Sequence, residues 1–287
     1  MTTAPSAEQH VLAFYSRHPI SRDQILARLA AQRGHLDGLV PEDLFAHDQD
    51  HYGGLAVVDA LAERAGIGPG RRVADFCAGL AGPARYLAHR YGALVTCIEL
   101  NPDRAPGAAD LTRRVGLSER VRVVRADVMR VPLADGSQDA VISQEAMLHV
   151  PDKGAALREA GRILAPGGRL SFTDWAELRP LDAADREAMW RGIAAQTLQG
   201  IEGYRRLIEA AGFRDIRVED LTADWGGILA QRLQMYRRLR DETLRAGTPS
   251  GDDEFYRAYV RLVELVQARS LGGARFTAVK PGARAAL

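Results

Sequence analysis

Residues 72–99 constrain the fold more than any other part of this sequence. They read RVADFCAGLAGPARYLAHRYGALVTCIE: an apolar run, a loop of small residues, a helical pattern and a second apolar run. This order predicts a strand, a tight loop, a helix and a second, parallel strand. The alternation continues along the chain, so we expect an α/β protein with a doubly wound, mostly parallel seven-stranded sheet. The last strand, residues 274–279, is expected to pair antiparallel with its neighbour at an edge of the sheet.

The loop between the first strand and the helix, residues 77–82, leaves room for a ligand. Its residues are nearly all small, so a ligand can approach the backbone, and the next helix offers unpaired N–H groups. Glu99 ends the second strand, 24 residues after Asp75. A carboxylate at that place can accept hydrogen bonds from both hydroxyls of a ribose. We therefore expect a ligand that carries a ribose.

Two such ligands compete for the loop, a dinucleotide and S-adenosylmethionine. A dinucleotide loop would read G-x-G-x-x-G, and Gly79 and Gly82 do not fit that spacing. Asp75, which precedes the loop, suits the ammonium group of an amino-acid tail. The residues favour S-adenosylmethionine, while a glycine-rich turn with a structural role in another α/β domain stays open.

Residue pairs that each contain a polar side chain also follow the next three predicted strands. These residues are Asp127 and Val128, Gln144 and Glu145, and Asp174 and Trp175. Because the carboxyl ends of parallel strands meet at one edge of a sheet, we expect them near Asp75 and Glu99.

Four stretches resemble class I S-adenosylmethionine-dependent methyltransferases. The loop after Asp75 resembles the first motif of that family, although Cys77 and Ala81 stand where glycine is common and only Gly79 is retained. The stretch LREAGRILAPGGRLSFTDW resembles the family's helix–PGG–strand segment. GPARYLAHRYG and VISQEAMLHVPDK are similar to the branch of sarcosine and dimethylglycine N-methyltransferases.

This resemblance implies a Rossmann-like fold and S-adenosylmethionine as the cofactor. The cofactor-binding candidates are Asp75, Ala78, Gly79, Gly82, Glu99, Leu100, Asp127, Val128 and Gln144. Asp127 would accept from the adenine amino group while Val128 packs on the ring, and a helix N-cap is the alternative for Asp127. The branch implies N-methylation of a small amine. O- or C-methylation of a secondary metabolite or lipid precursor and a non-catalytic donor-binding module remain alternatives.

The catalytic candidates are Glu145 and His149, which follow the fourth strand. Their i, i+4 spacing would place both on one helical turn facing the acceptor, where either could receive the acceptor's proton. The alternative is that His149 caps a helix and Glu145 is solvated. Asp174, Trp175 and Trp190 are candidates for the substrate pocket, although residues at the helical spacing of Trp190 more often belong to the core.

Residues 1–54 are predicted to form a helical cap, with two short helices broken at His18 and Pro19 and ended by Gly34. A polar connector then delivers His51 and Tyr52, which we expect to cover the substrate pocket. An ordinary surface loop is the alternative, and the histidines and carboxylates near His51 do not match a metal-ligand spacing. Residues 55–287 form the predicted methyltransferase domain, with a helical insertion at about residues 178–200.

Composition excludes several other classes of function. Hydrophobic residues make up 46% of the chain and charged residues 26%, and the net charge is +1. This balance lacks the basic footprint of a nucleic-acid binder. Cys77 and Cys97 offer neither a disulfide framework nor zinc spacing. The sequence shows no membrane-spanning run and no signal-peptide pattern, so we expect a cytoplasmic protein with a small-molecule acceptor, no nucleic-acid or membrane partner and a homodimer as candidate assembly.

Overall fold

The computed structural model describes residues 6–16, 20–245 and 253–282, so the predicted break at His18 and Pro19 lies outside the described residues. The helices are α1 (Ala7–Ser16), α2 (Arg22–Arg33), α3 (Pro41–Phe45), α4 (Gly54–Ala65), α5 (Gly82–Tyr91), α6 (Arg104–Arg114), α7 (Lys153–Ile163), α8 (Ala183–Ile193), α9 (Ile201–Ala210), α10 (Thr222–Arg245) and α11 (Asp253–Gln267). The strands are β1 (Arg72–Phe76), β2 (Leu94–Glu99), β3 (Val121–Arg125), β4 (Gln138–Gln144), β5 (Leu164–Glu177), β6 (Gln199–Gly200), β7 (Arg214–Asp220) and β8 (Leu271–Val279).

The predicted fold class is confirmed. The strands lie in the order β3-β2-β1-β4-β5-β8-β7, and the two-residue strand β6 pairs beside β5. The pairs β1–β2, β1–β4, β2–β3 and β4–β5 are all parallel. The order reverses between β1 and β4, which opens a crevice at the carboxyl ends of these two strands.

The last strand is antiparallel as predicted, but it does not lie at an edge. β8 pairs with β5 on one side and with β7 on the other, antiparallel to both. Its residues from Leu271 to Phe276 are buried, as expected for an interior strand. The edges of the sheet are β3 and β7.

Strand β5 is longer than the predicted residues 169–173. It continues through Glu177 because β8 pairs with it along its length, including Asp174 with Ala274 and Trp175 with Gly273. Asp174 and Trp175 therefore lie inside a central strand and not at its end. This extension changes the expected role of both residues.

Three apolar clusters hold the sheet between its helices. One packs α2, α4, α5 and α6 against one face, with Leu61 and Leu87 fully buried. The second packs α7 and α9 against the other face, around Phe172 and Tyr204. The third joins α8, α10 and α11 to the end of β5 through Trp175, Trp225 and Leu262. Within the described residues, none of the helices combines the length and apolar composition that crossing a membrane requires.

The N-terminal segment begins with the two predicted helices, α1 and α2. Ser21 caps α2 by accepting from the N–H of Gln24, and Gly34 ends the helix in the left-handed conformation, as predicted. The segment that follows α3 is fixed to the sheet by a fully buried ion pair. Arg85 on α5 donates through Nη2 to Asp48 Oδ2 at 2.9 Å, and its Nη1 donates to Thr112 Oγ1 at 3.1 Å.

Removal of one partner of this ion pair should destabilise the protein strongly. Arg85→Ala leaves the Asp48 carboxylate buried without a cation, which costs about 3–5 kcal/mol in the free energy of unfolding. Arg113→Ala is the matched control, because the exposed Arg113–Asp110 pair contributes about 0–1 kcal/mol. Urea denaturation measures both variants. Equal losses would show that the buried pair does not anchor this segment.

Candidate active site

Two adjoining cavities lie at the carboxyl edge of the sheet. The larger has a volume of about 370 Å³, and the smaller has a volume of about 60 Å³. Tyr15, Cys77, Gly79 and Ala146 line both of them. α1 covers the larger cavity with Val11, Leu12 and Tyr15. The strand ends predicted a ligand site at this edge of the sheet. The structure shows two cavities there, which α1 partly covers.

Glu99 is buried at the end of β2 and lines the larger cavity. Its Oε2 accepts from the Gly79 N–H at 2.7 Å, and its Oε1 accepts from the Asn101 N–H at 2.8 Å. Burial raises the pKa of the Glu99 carboxyl, while these N–H groups and Arg104 oppose the increase. The carboxylate is thus held in place by the loop that it faces.

Asp75 is buried near the end of β1 and lines the smaller cavity. Its Oδ2 has no hydrogen-bond partner within the described part of the chain. Burial, followed by the nearby charge of Glu99, raises the pKa of the Asp75 carboxyl to about 8. A cationic ligand would stabilise the ionised form of this carboxyl and supply its missing partner.

The loop after β1 adopts a strained path. Cys77 (φ 57°) and Ala81 (φ 61°) occupy the left-handed region, which costs a non-glycine residue about 1–2 kcal/mol. Both stand where the resemblance expects glycine, so the backbone shape is kept despite the substitutions. Ala78 lines the smaller cavity together with Gly79.

Gly82 lies at the start of α5 and also lines the smaller cavity. A Cβ at this position would meet the Asp48 carbonyl oxygen at 2.0 Å. Glycine is therefore required for the approach of the 48–52 segment, in addition to any contact with a ligand. The Asp48 backbone partly covers the helix terminus that the sequence predicted to be open.

Leu100, Asp127 and Val128 line the larger cavity, as expected of a site for a planar ring. Leu100 is 42% exposed, and Val128 is buried. Asp127 Oδ1 accepts from the Met129 N–H at 2.8 Å within a turn, so it caps no helix. Gln144 lines the smaller cavity, and neither polar atom of its buried amide has a partner among the described residues.

Glu145 and His149 do not share a helical face. A single 3₁₀ turn covers Met147–His149, and Glu145 precedes it in the left-handed conformation (φ 52°). The Glu145 carboxylate accepts from the Tyr52 N–H at 3.0 and 3.1 Å, and burial raises its pKa well above the usual range. The predicted arrangement is wrong because the chain turns sharply directly after β4.

His149 is hydrogen-bonded through both ring nitrogens. Nδ1 lies 2.9 Å from the Ala194 carbonyl oxygen, which only accepts, so Nδ1 carries the proton. Nε2 is then the acceptor for the Tyr15 hydroxyl at 2.9 Å. Burial lowers the pKa of His149 to about 4, so the imidazole is neutral at physiological pH. The hydrogen bond between Tyr15 and His149 therefore links α1 to the turn that follows β4.

Arg104 holds Tyr15 from the other side. Its guanidinium lies 4.4 Å from the centroid of the Tyr15 ring, donates to Asp50 Oδ2 at 2.9 Å and donates to the Ile20 carbonyl at 3.0 Å. No motif predicted Tyr15 or Arg104, because their contacts join segments far apart in sequence. The only signal for Arg104 was its place in the helix that follows β2.

The cap candidates lie in different environments. His51 lines the smaller cavity, and its Nε2 lies 2.9 Å from Gln49 Oε1. Burial lowers the pKa of His51. Tyr52 instead packs its ring edge-on against Trp175, with centroids 5.7 Å apart, and lines neither cavity.

Three expected pocket residues lie outside both cavities. Asp174 is fully buried, where it accepts from the Tyr204 hydroxyl, and burial raises its pKa to about 6. Trp175 belongs to the third apolar cluster. Trp190 stacks on His10 with ring centroids 4.1 Å apart, which joins α8 to α1. Trp190 is half-buried and is not among the residues of the three apolar clusters.

The described residues contain no group of three or more histidine, cysteine or acidic side chains arranged to hold a metal ion. The site does fit the cofactor that the resemblance implied. The larger cavity offers Leu100 and Val128 to a ring and Glu99 to a ribose, and the unpartnered Asp75 oxygen faces the smaller cavity, where an ammonium would complete it.

Comparisons with known proteins agree with this geometry. A family described as a methyltransferase domain matches residues 74–172. Over 172 residues the chain is 34% identical to the methyltransferase GfsG of Streptomyces halstedii, covering 59% of this chain and 62% of that protein. It is 35% identical over 156 residues to a sarcosine/dimethylglycine N-methyltransferase of Halorhodospira halochloris, covering 54% and 56%. These matches span about three fifths of the relatives' lengths.

A solved structure of phosphoethanolamine N-methyltransferase 2 from Haemonchus contortus, in complex with phosphomonomethylethanolamine and S-adenosylhomocysteine, has the same fold. The TM-score is 0.75 at 20% identity, covering 98% of this chain and 61% of that one. The family match includes β1, β2 and β4, whose carboxyl ends build both cavities. Residues 74–172 of the chain therefore belong to the methyltransferase-domain family.

Proposed function

We propose that this protein transfers a methyl group from S-adenosylmethionine to the nitrogen of a small amine. The observation that carries the proposal is the hydrogen-bonded pair of Tyr15 and His149, where the donor cavity meets the smaller cavity. The relatives named as sarcosine/dimethylglycine and phosphoethanolamine N-methyltransferases support an amine acceptor. When bound, the donor supplies a methyl group on a positively charged sulfur.

In this proposal each buried acid has a separate task. Glu99 holds the ribose hydroxyls, Asp75 holds the ammonium of the methionine tail, and Leu100 and Val128 enclose the adenine, whose amino group Asp127 accepts. Gly79, Ala78 and Gln144 line the space between the ribose and the ammonium of the donor. Gly82 allows the cap segment at Asp48 to approach the start of α5. The tail of the donor thereby occupies the smaller cavity, and an acceptor would enter beside Tyr15, which lines both cavities.

Tyr15 and His149 are proposed to orient the acceptor amine. Because His149 Nδ1 donates to Ala194, Nε2 is free of a proton and fixes the direction of the Tyr15 hydroxyl. The Tyr15 oxygen can accept a hydrogen bond from a neutral amine and so turn the nitrogen lone pair toward the methyl group, while its own proton stays in the bond to Nε2. Glu145, bonded to the cap backbone, is proposed to position residues 51 and 52 and not to exchange a proton with the acceptor.

Residues 1–54 act in this proposal as a cap over the donor, and the insertion at 178–200 supports it through the His10–Trp190 contact. Water must be excluded because a sulfonium reacts by in-line displacement, so a water molecule could attack the methyl group in place of the acceptor. A methylation assay tests the whole proposal, with methyl-labelled donor and a panel of sarcosine, dimethylglycine, phosphoethanolamine and matched alcohols. Labelling of alcohols alone would favour O-methylation, and no labelling would favour a binding module.

Glu99→Gln should weaken donor binding. One carboxylate oxygen becomes an amide N–H₂ group that faces the Gly79 N–H, and the ribose loses an acceptor. We expect a loss of about 1–3 kcal/mol, equivalent to about 5- to 150-fold in Kd, measured by calorimetry with S-adenosylmethionine. Glu63→Gln, at an exposed side chain, is the control. An unchanged Kd for Glu99→Gln would remove Glu99 from the donor site.

Donor binding should release a proton below pH 7 through Asp75. The free carboxyl, with its pKa of about 8, is largely protonated there, and an ammonium partner favours its ionised form. Donor affinity should therefore rise with pH, by up to about tenfold per unit between pH 5.5 and 7. Calorimetry in buffers of different ionisation enthalpy measures the released proton. Asp75→Asn should abolish this release, and its persistence would assign the proton to another group.

Tyr15→Phe should lower turnover while donor affinity stays near the wild-type value. The variant keeps the ring beside Arg104 and removes only the hydroxyl that contacts His149. Loss of a group that orients the acceptor costs about 10²-fold in rate, and His149→Asn should produce a similar loss. Initial rates and calorimetry separate the two effects. Wild-type turnover in both variants would exclude the pair from orienting the acceptor.

A further inference from the structure

Lys153 is a buried cation that the proposed reaction does not use. It is the first residue of α7, a position that normally faces water, yet its side chain is only 3% exposed. The chain contains 36 arginines and two lysines, so lysine is rare here among the basic residues. A compact ammonium group fits where the planar guanidinium of arginine would not.

The Lys153 ammonium is surrounded by neutral oxygens. Nζ donates to the Met147 carbonyl at 2.6 Å, to the Thr197 carbonyl at 2.8 Å and to the Thr197 hydroxyl. No ion pair to a carboxylate is formed by Lys153 in the described ranges. Burial lowers its pKa to about 8, against the opposing effect of Asp174. Because burying this charge is costly, an apolar side chain would be the cheaper way to fill the space.

These acceptors belong to the two segments that hold His149. Met147 starts the 3₁₀ turn that carries the imidazole, and Thr197 lies three residues after Ala194, whose carbonyl accepts from Nδ1. The segments also bond directly, from the Thr197 N–H to the Leu148 carbonyl at 3.0 Å. Lys153 therefore bridges the two sides of the His149–Ala194 hydrogen bond.

We propose that Lys153 is the positioning residue of His149, which keeps the Ala194 carbonyl against Nδ1 and so leaves Nε2 as the acceptor for Tyr15. The consequence for turnover rests on the proposed function. The effect on the imidazole itself does not, because it is a property of the protein without substrate.

Lys153→Met tests this role, since methionine keeps the length of the side chain and removes the donors. We expect ¹⁵N NMR to show one His149 tautomer in the wild type, with the proton on Nδ1, and two exchanging tautomers in the variant. His149→Asn assigns the signals. Lys280→Met is the matched control, because Lys280 donates to the Leu164 carbonyl at 2.6 Å, at the start of β5 and far from the site. An unchanged His149 spectrum in Lys153→Met would overturn the proposal.

Thr197→Val is the second variant, and it keeps the ammonium while removing one of its acceptors. The same shift toward mixed tautomers is expected, in smaller proportion, and a wild-type spectrum in a folded Thr197→Val protein would count against the bridge. Turnover with the most reactive amine of the panel should fall about 10- to 100-fold in Lys153→Met, with the donor Kd unchanged. Since the NMR measurement needs no acceptor, a negative methylation panel would overturn the proposed function alone.

Discussion

The site depends on the burial of two like-charged groups, Asp75 and Glu99, at the ends of neighbouring strands. Asp75 pairs with Cys97 in the sheet, two residues before Glu99. Two carboxylates this close in a low-dielectric environment cannot both ionise without compensation. Glu99 is compensated by backbone N–H groups and by Arg104, whereas Asp75 has no such partner. Glu99 is therefore held in place by its hydrogen bonds, whereas Asp75 can pair with a cationic ligand.

This asymmetry explains the strain in the loop after β1. Gly79 directs its N–H to Glu99, and the loop reaches that position through left-handed residues on either side. The strain at Cys77 and Ala81 is offset by packing, since Ala81 is fully buried. Glycine at these positions would make the loop less strained but also less fixed in the absence of a ligand.

Helix α1 is held by polar contacts more than by apolar burial. None of the residues of α1 is fully buried, and its contacts to the rest of the protein include Tyr15 with His149 and Arg104, and His10 with Trp190. Segments with few buried apolar contacts open at low free-energy cost. The fixed part of the cap is the 48–52 segment, where Arg85 and Gly82 secure Asp48. Opening of α1 would therefore expose the larger cavity without disturbing the sheet.

The sequence predicts those parts of the site that follow from strand order. Asp75, Glu99 and Asp127 were found because parallel strands deliver their carboxyl ends to one edge. The role of Asp174 was wrong since the length of β5 is set by pairing with β8, about 100 residues later in the chain, which no local pattern shows. Tyr15, Arg104 and Lys153 were missed for a similar reason. Their partners are carbonyl groups and rings brought together only by the folded chain.

The protonation states at the acceptor end argue for a neutral acceptor. His149 is uncharged above pH 4 or so, and burial favours the neutral form of Glu145. Asp48 and Asp50 are each paired with an arginine, and Asp75 is assigned to the donor. A protonated amine would therefore lose its hydration on entering the site and gain little electrostatic stabilisation in return. The neutral amine, which carries the nucleophilic lone pair, loses less hydration free energy on entry. Binding itself thus selects the form that can accept a methyl group, and the Tyr15–His149 pair has only to orient its lone pair toward the donor.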